Sequence, residues 1–315
     1  MKNFLKSILF TVIFVLIFIV LSYALLPKDT LKKYGLIKTS RYEILWEKED
    51  SIDIIFAGDS LTYSSISPMD LWHEYCYTSY DIAYPAQKIN DMYRNIEVAI
   101  ESQHPKIVFM EANVLMRDGR KAKWYYNTTD WRNTYLPLIA HHNNWKKYLF
   151  TNVKDSLRYS WIDPFKGFKY VPDIQKGRFA DYMDDENEKE KKIPNNNFEY
   201  LKKIKELCDK NDVMFILLST PNSGSWSYGK YLAARKAAKK LDIPYIELNV
   251  GNPLHINWET ETKDEGFHLN YEGALKVTRF LGDYLRDNGL AVDHRGDDYY
   301  SEWDDAYIMF EDNKK

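Results

Sequence analysis

Five short apolar runs, at 52–57, 80–84, 106–111, 213–218 and 244–248, alternate with stretches of helical periodicity at 87–103, 198–210, 228–240 and 271–286. Strands this short and this uniformly apolar suit a sheet buried on both faces, and helices between them suit crossover connections of one hand. The pattern predicts an α/β fold, a three-layer doubly wound sandwich around a five-stranded parallel sheet. Ligands of such sheets sit beyond the carboxyl ends of the strands. Ser60, Ala86, Asn113 and Thr220 each fall just past a predicted strand end, so the fold gathers them on one edge.

Ahead of this pattern, residues 7–27 carry no charge and consist largely of Ile, Leu, Phe and Val. At about 1.5 Å per residue such a helix spans roughly the 30 Å of a bilayer's hydrocarbon core. Ser22-Tyr23-Ala24 has the small-x-small form of a signal-peptidase site, which makes a cleaved signal peptide the alternative. The run is longer than a usual signal h-region and no polar stretch follows it, which favours an uncleaved single-pass anchor at 1–28. Lys2 and Lys6 precede the run while Lys28, Lys32 and Lys33 follow it, so charge alone does not fix its orientation.

Residues 29–50 read as a tether, 51–292 as the main domain and 293–315 as an acidic, aromatic tail that straps its surface. Within the domain, 117–197 breaks the pattern with Trp, Tyr, Asn and charge, and is too long for an ordinary connection. It reads as an insertion with some helix near 136–153 and a solvated, charge-dense loop at 184–192. A net charge of −3 gives no basic surface for nucleic acid. Cys76 and Cys208 form neither a disulfide framework nor a metal-ligand spacing, and Cys208 falls in a helical pattern as a buried free thiol. The content of 25 Tyr and 9 Trp suits a surface that handles sugars or lies near a membrane, although aromatics also fill cores.

Two short motifs carry the chemistry: Gly58-Asp59-Ser60 after the first strand, and Asp264-Glu265-Gly266-Phe267-His268 before the last helix. A serine hydroxyl is a poor nucleophile until a base takes its proton and a third group orients the base. Ser60 is the candidate nucleophile, His268 the base and Asp264 the orienting carboxylate. Glu265 is the alternative acid, because Gly266 lets the loop turn sharply enough for either carboxylate to reach the imidazole. Each motif alone has a plainer reading, a strand-end turn with a helix cap or a structural histidine. Their shared placement on one edge of the sheet favours the catalytic one.

On these residues the chain resembles the SGNH (GDSL) hydrolase superfamily, with 54–60 similar to its first block and 264–268 to its last. The resemblance implies three oxyanion donors: the Ser60 amide, the Ala86 amide in the second block (83–87) and the Asn113 side chain in the third (111–114). Alanine stands where glycine is usual in the second block, and the third keeps its asparagine but not its glycine and aspartate. The N-terminal anchor, the run 268–274 and the tail with Asp293-His294-Arg295-Gly296, Tyr299 and Trp303 resemble a narrower branch. It comprises membrane-anchored SGNH proteins that accompany membrane-bound O-acyltransferases, with the D-alanine transfer protein of teichoic acid synthesis a more distant relative. The likeness covers about 50–120 and 195–305.

It implies a serine acyltransferase or esterase outside the cytoplasmic membrane. Such an enzyme moves O-acyl groups, commonly acetyl, on a cell-envelope polysaccharide or teichoic-acid-like polymer, with an O-acyltransferase as partner and neither metal nor organic cofactor. The competing expectations are a carbohydrate or lipid esterase without a partner and a non-catalytic assembly scaffold on the same fold. Two further motifs fall in the insertion. His141-His142-Asn143-Asn144-Trp145 suits either a sugar cleft or a helix end with a buried Trp, and Asn127-Thr128-Thr129 fits a glycosylation acceptor.

Overall fold

The five apolar runs become five parallel strands, β1 (Ile54–Gly58), β2 (Ser79–Ala83), β3 (Ile107–Glu111), β4 (Met214–Ser219) and β5 (Tyr245–Glu247), in the order β2-β1-β3-β4-β5. The computed structural model describes residues 2–24, 44–45, 47–117, 163–178 and 181–314. The helix expected near 136–153 and the motifs at 127–129 and 141–145 lie outside the described residues.

Alternate residues of the strands feed two separate cores. Ile55, Ala57, Val108, Met110, Phe215 and Leu217 face the layer formed by α4 (Ile89–Gln103), α5 (Asn195–Lys210) and α6 (Tyr228–Lys240). Ile54, Phe56, Ile107, Phe109, Ile216 and Leu218 face α7 (Tyr271–Asp287), through Val277, Leu281 and Leu285. This is the three-layer sandwich expected, and each fully buried Ile, Leu or Phe contributes about 1.5–3 kcal/mol. The Phe56 and Phe109 rings stack at 5.1 Å across the central pair of strands.

The strand order has a consequence for the site. From β1 the chain passes to β2 on one side, then crosses back through α4 to β3 on the other. The crevice beyond β1 and β3 is therefore a topological switch point, where open α/β sheets bind ligands. Ser60 follows β1, with two short helices α2 (Thr62–Ser65) and α3 (Pro68–Tyr75) leading on to β2.

Several boundaries differ from the sequence reading. The expected tether already contributes to the core, since Ile44 is buried and Glu47 forms a buried ion pair with Lys166 at 2.6 Å. Helix α5 starts at Asn195 rather than 198, directly after Pro194, and Asn197 is buried with Nδ2 donating to the carbonyls of Leu115 and Arg117. These residues fall at the end of the expected insertion, yet Asn197 pins the chain that follows β3. The tail, expected to strap the domain surface, does so largely as a helix, α8 (Ser301–Asn313). It buries Trp303, Ala306 and Phe310, sets the Trp303 ring tilted at 5.6 Å from Trp72, and receives the Trp72 indole N–H on Asp304. Residues 184–192 are the exposed loop expected, and Cys208 is a buried free thiol.

The chain divides into two compact units, one comprising 1–40 and 120–161, the other 41–119 and 162–315. The described part of the first is α1 (Lys2–Ala24), whose window Asn3–Leu21 has a mean hydropathy of 2.9 and no buried share. It is long and apolar enough to cross a membrane, a property that signal sequences share. The sheet and all the residues of the candidate site belong to the second unit.

Candidate active site

Ser60 is presented by a turn whose three residues have separable jobs. Gly58 ends β1 where no side chain fits, because a Cβ there meets Thr62 Oγ1 at 1.7 Å and Glu111 Cβ at 3.0 Å. Asp59 is fully buried, and its Oδ1 accepts the Leu61 N–H at 2.9 Å, the side-chain turn that aspartate favours. Ser60 is left partly exposed at the carboxyl edge of the sheet.

The opposite wall is a loop held in an unusual conformation. Asp264, Glu265 and Gly266 have φ of 53°, 67° and 97°, consecutive left-handed positions that cost about 1 kcal/mol or more for each non-glycine residue. Surrounding contacts offset this. The short antiparallel pair β6 (Thr262–Lys263) and β7 (His268–Leu269) clamps both ends, and Gly266 O accepts the Gly224 N–H at 2.9 Å. Beyond β7, Asn270 caps α7 by accepting the Gly273 N–H at 3.2 Å, and donates to Thr260 O at 2.8 Å. His268 is thus fixed between a clamped loop and a capped helix.

These two elements bring the expected residues together. His268 Nε2 lies 2.7 Å from Ser60 Oγ, and His268 Nδ1 lies 2.6 Å from Asp264 Oδ2. Asp264 Oδ1 also accepts the His268 backbone N–H at 2.9 Å, so one carboxylate fixes both ring and backbone. Glu265 turns the other way and pairs with Arg178. A serine, an imidazole and a carboxylate in this line can take a proton from the serine hydroxyl and stabilise the resulting imidazolium.

Asn113, in the 3₁₀ turn after β3 (Ala112–Met116), lines the same cleft of about 330 Å³ as Ser60 and His268. Lys230 Nζ donates to Asn113 Oδ1 at 3.4 Å. An ammonium has only donors, so it selects the carbonyl end of the amide and leaves the NH₂ end as a donor elsewhere. Ala86 has the left-handed backbone expected of the usual glycine, with φ 55° in a turn where Gln87 N donates to Tyr84 O at 3.1 Å. It is exposed past β2 and does not line the cleft.

Five polar groups around the site are given no role by the sequence alone. Glu111, buried at the end of β3, accepts from the Asn113 N–H, the Thr220 N–H and the Thr220 hydroxyl, tying the third and fourth strand ends together. Burial first, and then the nearby Asp59 carboxylate, push its pKa up to about 8. Arg117 pairs with the buried Asp59, and both Arg117 and Lys230 line the cleft. Lys263 stands opposite His268 in the β6–β7 pair, with a buried Nζ that has no hydrogen-bond partner among the described residues; burial above all, with Lys169 adding to it, lowers its pKa to about 8. Tyr63, one turn after Ser60, has its phenol raised by burial and by Asp59. Strand and helix patterns show which residues end an element but not which distant charges meet there, so only Glu111, at a strand end, left a signal. Among the described residues no group of three or more His, Cys, Asp or Glu is placed to hold a metal ion.

No protein-family model and no curated protein matches the chain. Solved structures similar to it are GDSL-type lipases, esterases and acylhydrolases at low identity. A lipase/acylhydrolase from Enterococcus faecalis is 12% identical with a TM-score of 0.41, covering 75% of this chain and 96% of its own. A psychrotrophic esterase from Pseudoalteromonas is 10% identical with a TM-score of 0.40, over 74% of this chain and 96% of its own. A GDSL-like lipase from Bacteroides thetaiotaomicron is 12% identical with a TM-score of 0.39, over 82% and 98%. The fold class itself rests on the strand order and the two helical layers.

Proposed function

We propose that the chain is a serine ester hydrolase or acyltransferase, with Ser60 as nucleophile, His268 as general base and acid, and Asp264 as the orienting carboxylate. The observation that carries this reading is the unbroken line of hydrogen bonds from Ser60 Oγ through His268 to Asp264, at 2.7 and 2.6 Å. Ser60 Oγ attacks an ester carbonyl while His268 Nε2 takes its proton. The imidazolium returns that proton to the leaving alcohol, and an acyl ester remains on Ser60. His268 then deprotonates water or an acceptor hydroxyl, which attacks the acyl carbon and restores the serine.

The tetrahedral oxyanion needs donors about 3 Å away. The Ser60 amide and the NH₂ of Asn113 are the donors this reading uses, since both residues line the cleft. Ala86 lies outside it and is not used.

The apolar helix α1 supports a membrane-anchored form. In this reading the domain lies outside the cell and acts on O-acyl groups, acetyl foremost, of a cell-envelope polysaccharide or teichoic-acid-like polymer. A membrane-bound O-acyltransferase is the proposed acyl supplier in that setting. Hydrolysis and transfer share every residue until the last step and differ in whether water or a held hydroxyl accepts the acyl group. The test is turnover of 4-nitrophenyl acetate by the full chain in membranes, with and without an acylatable polysaccharide. Loss of turnover in Ser60→Ala supports the reading, and polymer acylation marks a transferase. An active Ser60→Ala protein contradicts it.

A further inference from the structure

The cleft that holds Ser60 and His268 also carries charge that the serine chemistry does not use. Arg117 and Lys230 both line it, beside Asn113 and Ser225, while Leu61, Met116 and Phe267 supply apolar surface. Arg117 has a carboxylate partner in Asp59. Lys230 is different: its Nζ donates to two neutral acceptors, Asn113 Oδ1 at 3.4 Å and the Ser225 carbonyl, and among the described residues it has no ion-pair partner. An ammonium has three donors, so a third remains for a ligand.

The ions around Lys230 do not neutralise it. The charged groups acting on it are Arg117, Glu188, Lys191 and Asp59. These pair among themselves, Arg117 with Asp59 and Lys191 with Glu188 at 2.7 Å, which leaves the Lys230 charge uncompensated. Glu111, reached through Asn113, is fully buried, and that burial pushes its pKa up to about 8, so it is a weak source of negative charge for Lys230 at neutral pH. Lys230 is itself partly buried, and burial is the largest cause of its lowered pKa. A half-buried, unpaired ammonium in a reactive cleft is costly alone and is stabilised by a bound anion.

We propose that the cleft beside Ser60 selects esters that carry an anionic group, a carboxylate, sulfate or phosphate, bound by Lys230. The proposal rests on the reading of Ser60 as nucleophile. The anion belongs either to the acyl group or to the alcohol, and the test separates the two.

The full chain is assayed with 4-nitrophenyl acetate, which is neutral, acetylsalicylate, which is anionic on the alcohol side, and mono-4-nitrophenyl succinate, which is anionic on the acyl side. For each anionic ester the quantity read is its kcat/KM relative to that of the neutral ester, so intrinsic reactivity cancels between proteins. In Lys230→Met this ratio falls about tenfold or more for one of the two anionic esters, identifying the side, while Lys230→Arg largely keeps it. Equal loss on all three esters overturns the proposal, because Lys230 then acts only through Asn113. A protein that turns over no ester contradicts the serine reading instead. The anion site is then judged by binding of phenyl phosphate to Ser60→Ala: about tenfold weaker binding on adding Lys230→Met sustains it, and no difference overturns it.

Discussion

Asp264 holds His268 by two bonds, Oδ2 to the ring Nδ1 at 2.6 Å and Oδ1 to the backbone N–H at 2.9 Å. The sequence offers two acids within reach of that imidazole, and the backbone decides between them. With Asp264, Glu265 and Gly266 all left-handed, the loop sends successive side chains apart, and Glu265 is taken by Arg178. Asp264→Asn is expected to lower kcat by about 10⁴-fold, as losing the orienting carboxylate does in other serine triads. Glu265→Gln leaves kcat nearly unchanged. Steady-state kinetics on a small ester checks both, and the reverse pattern moves the orienting role to Glu265.

Gly58 is required by space rather than by backbone freedom, since an added Cβ meets Thr62 Oγ1 at 1.7 Å. Gly58→Ala forces β1 and α2 apart at the residue pair that carries Ser60. It is expected to cost about 1–3 kcal/mol of stability, the usual range for overpacking, and to lower turnover more than that cost alone explains. Denaturant unfolding alongside kinetics separates the two effects. Unchanged turnover in a destabilised protein shows that Ser60 does not depend on this packing.

Glu47, Asp70, Asp81, Glu111, Asp163 and Glu247 all have carboxyl pKa values raised in the fold, with burial the largest cause in each. Asp81 is the extreme case, fully buried with neither oxygen hydrogen-bonded among the described residues. A raised folded pKa means that the folded state binds more protons than the unfolded one. Their contribution is full below the ordinary carboxylate range, about pH 4, and is lost as pH rises, toward about 8 for Glu111. Glu188 and Glu311 are shifted the opposite way, but both are weakly buried and add little. The denaturant midpoint is expected to be higher near about pH 5 than near about pH 8. Asp81→Asn should shrink that difference, and a midpoint that rises with pH contradicts the assignment.

Much of this was legible in the chain because a doubly wound sheet writes itself locally. Buried parallel strands need unbroken apolar runs, and their ends locate Ser60, Asn113 and Thr220 without knowledge of the packing. Gly58-Asp59-Ser60 and the acid–histidine loop were readable for the same reason, each being a short local turn. What stayed hidden depends on contacts across the fold. The core role of helix α8 required knowing that Trp72 and Trp303 meet. Lys230 sits in an ordinary amphipathic helix, and only the crossing of α6 past the end of β3 brings its ammonium to Asn113. Ala86 shows the converse limit. Its left-handed φ fits the motif, while its exposure past β2 was not something that the motif encodes.

The helix α1 is expected to act as an anchor that contributes nothing to the sheet. A chain beginning at Arg41 keeps Ile44 and should be soluble, folded and active on small esters, while failing to restore polymer acylation in cells. Placing the start beyond Glu47 should cost several kcal/mol, because Lys166 then loses its buried partner. Protease added outside intact cells should reach the domain of the full chain. Protection from external protease, with cleavage only from the cytoplasmic side, rules out an envelope substrate.

The central claim is that His268 and Asp264 activate Ser60, and covalent labelling tests it most directly. The full chain is treated with a fluorophosphonate probe and the modified residue is located by peptide mass spectrometry. The account predicts one label, on Ser60, formed rapidly in the unaltered protein and lost or slowed by orders of magnitude in His268→Ala. A label on another residue, labelling that is indifferent to His268, or none at all on a folded protein contradicts it.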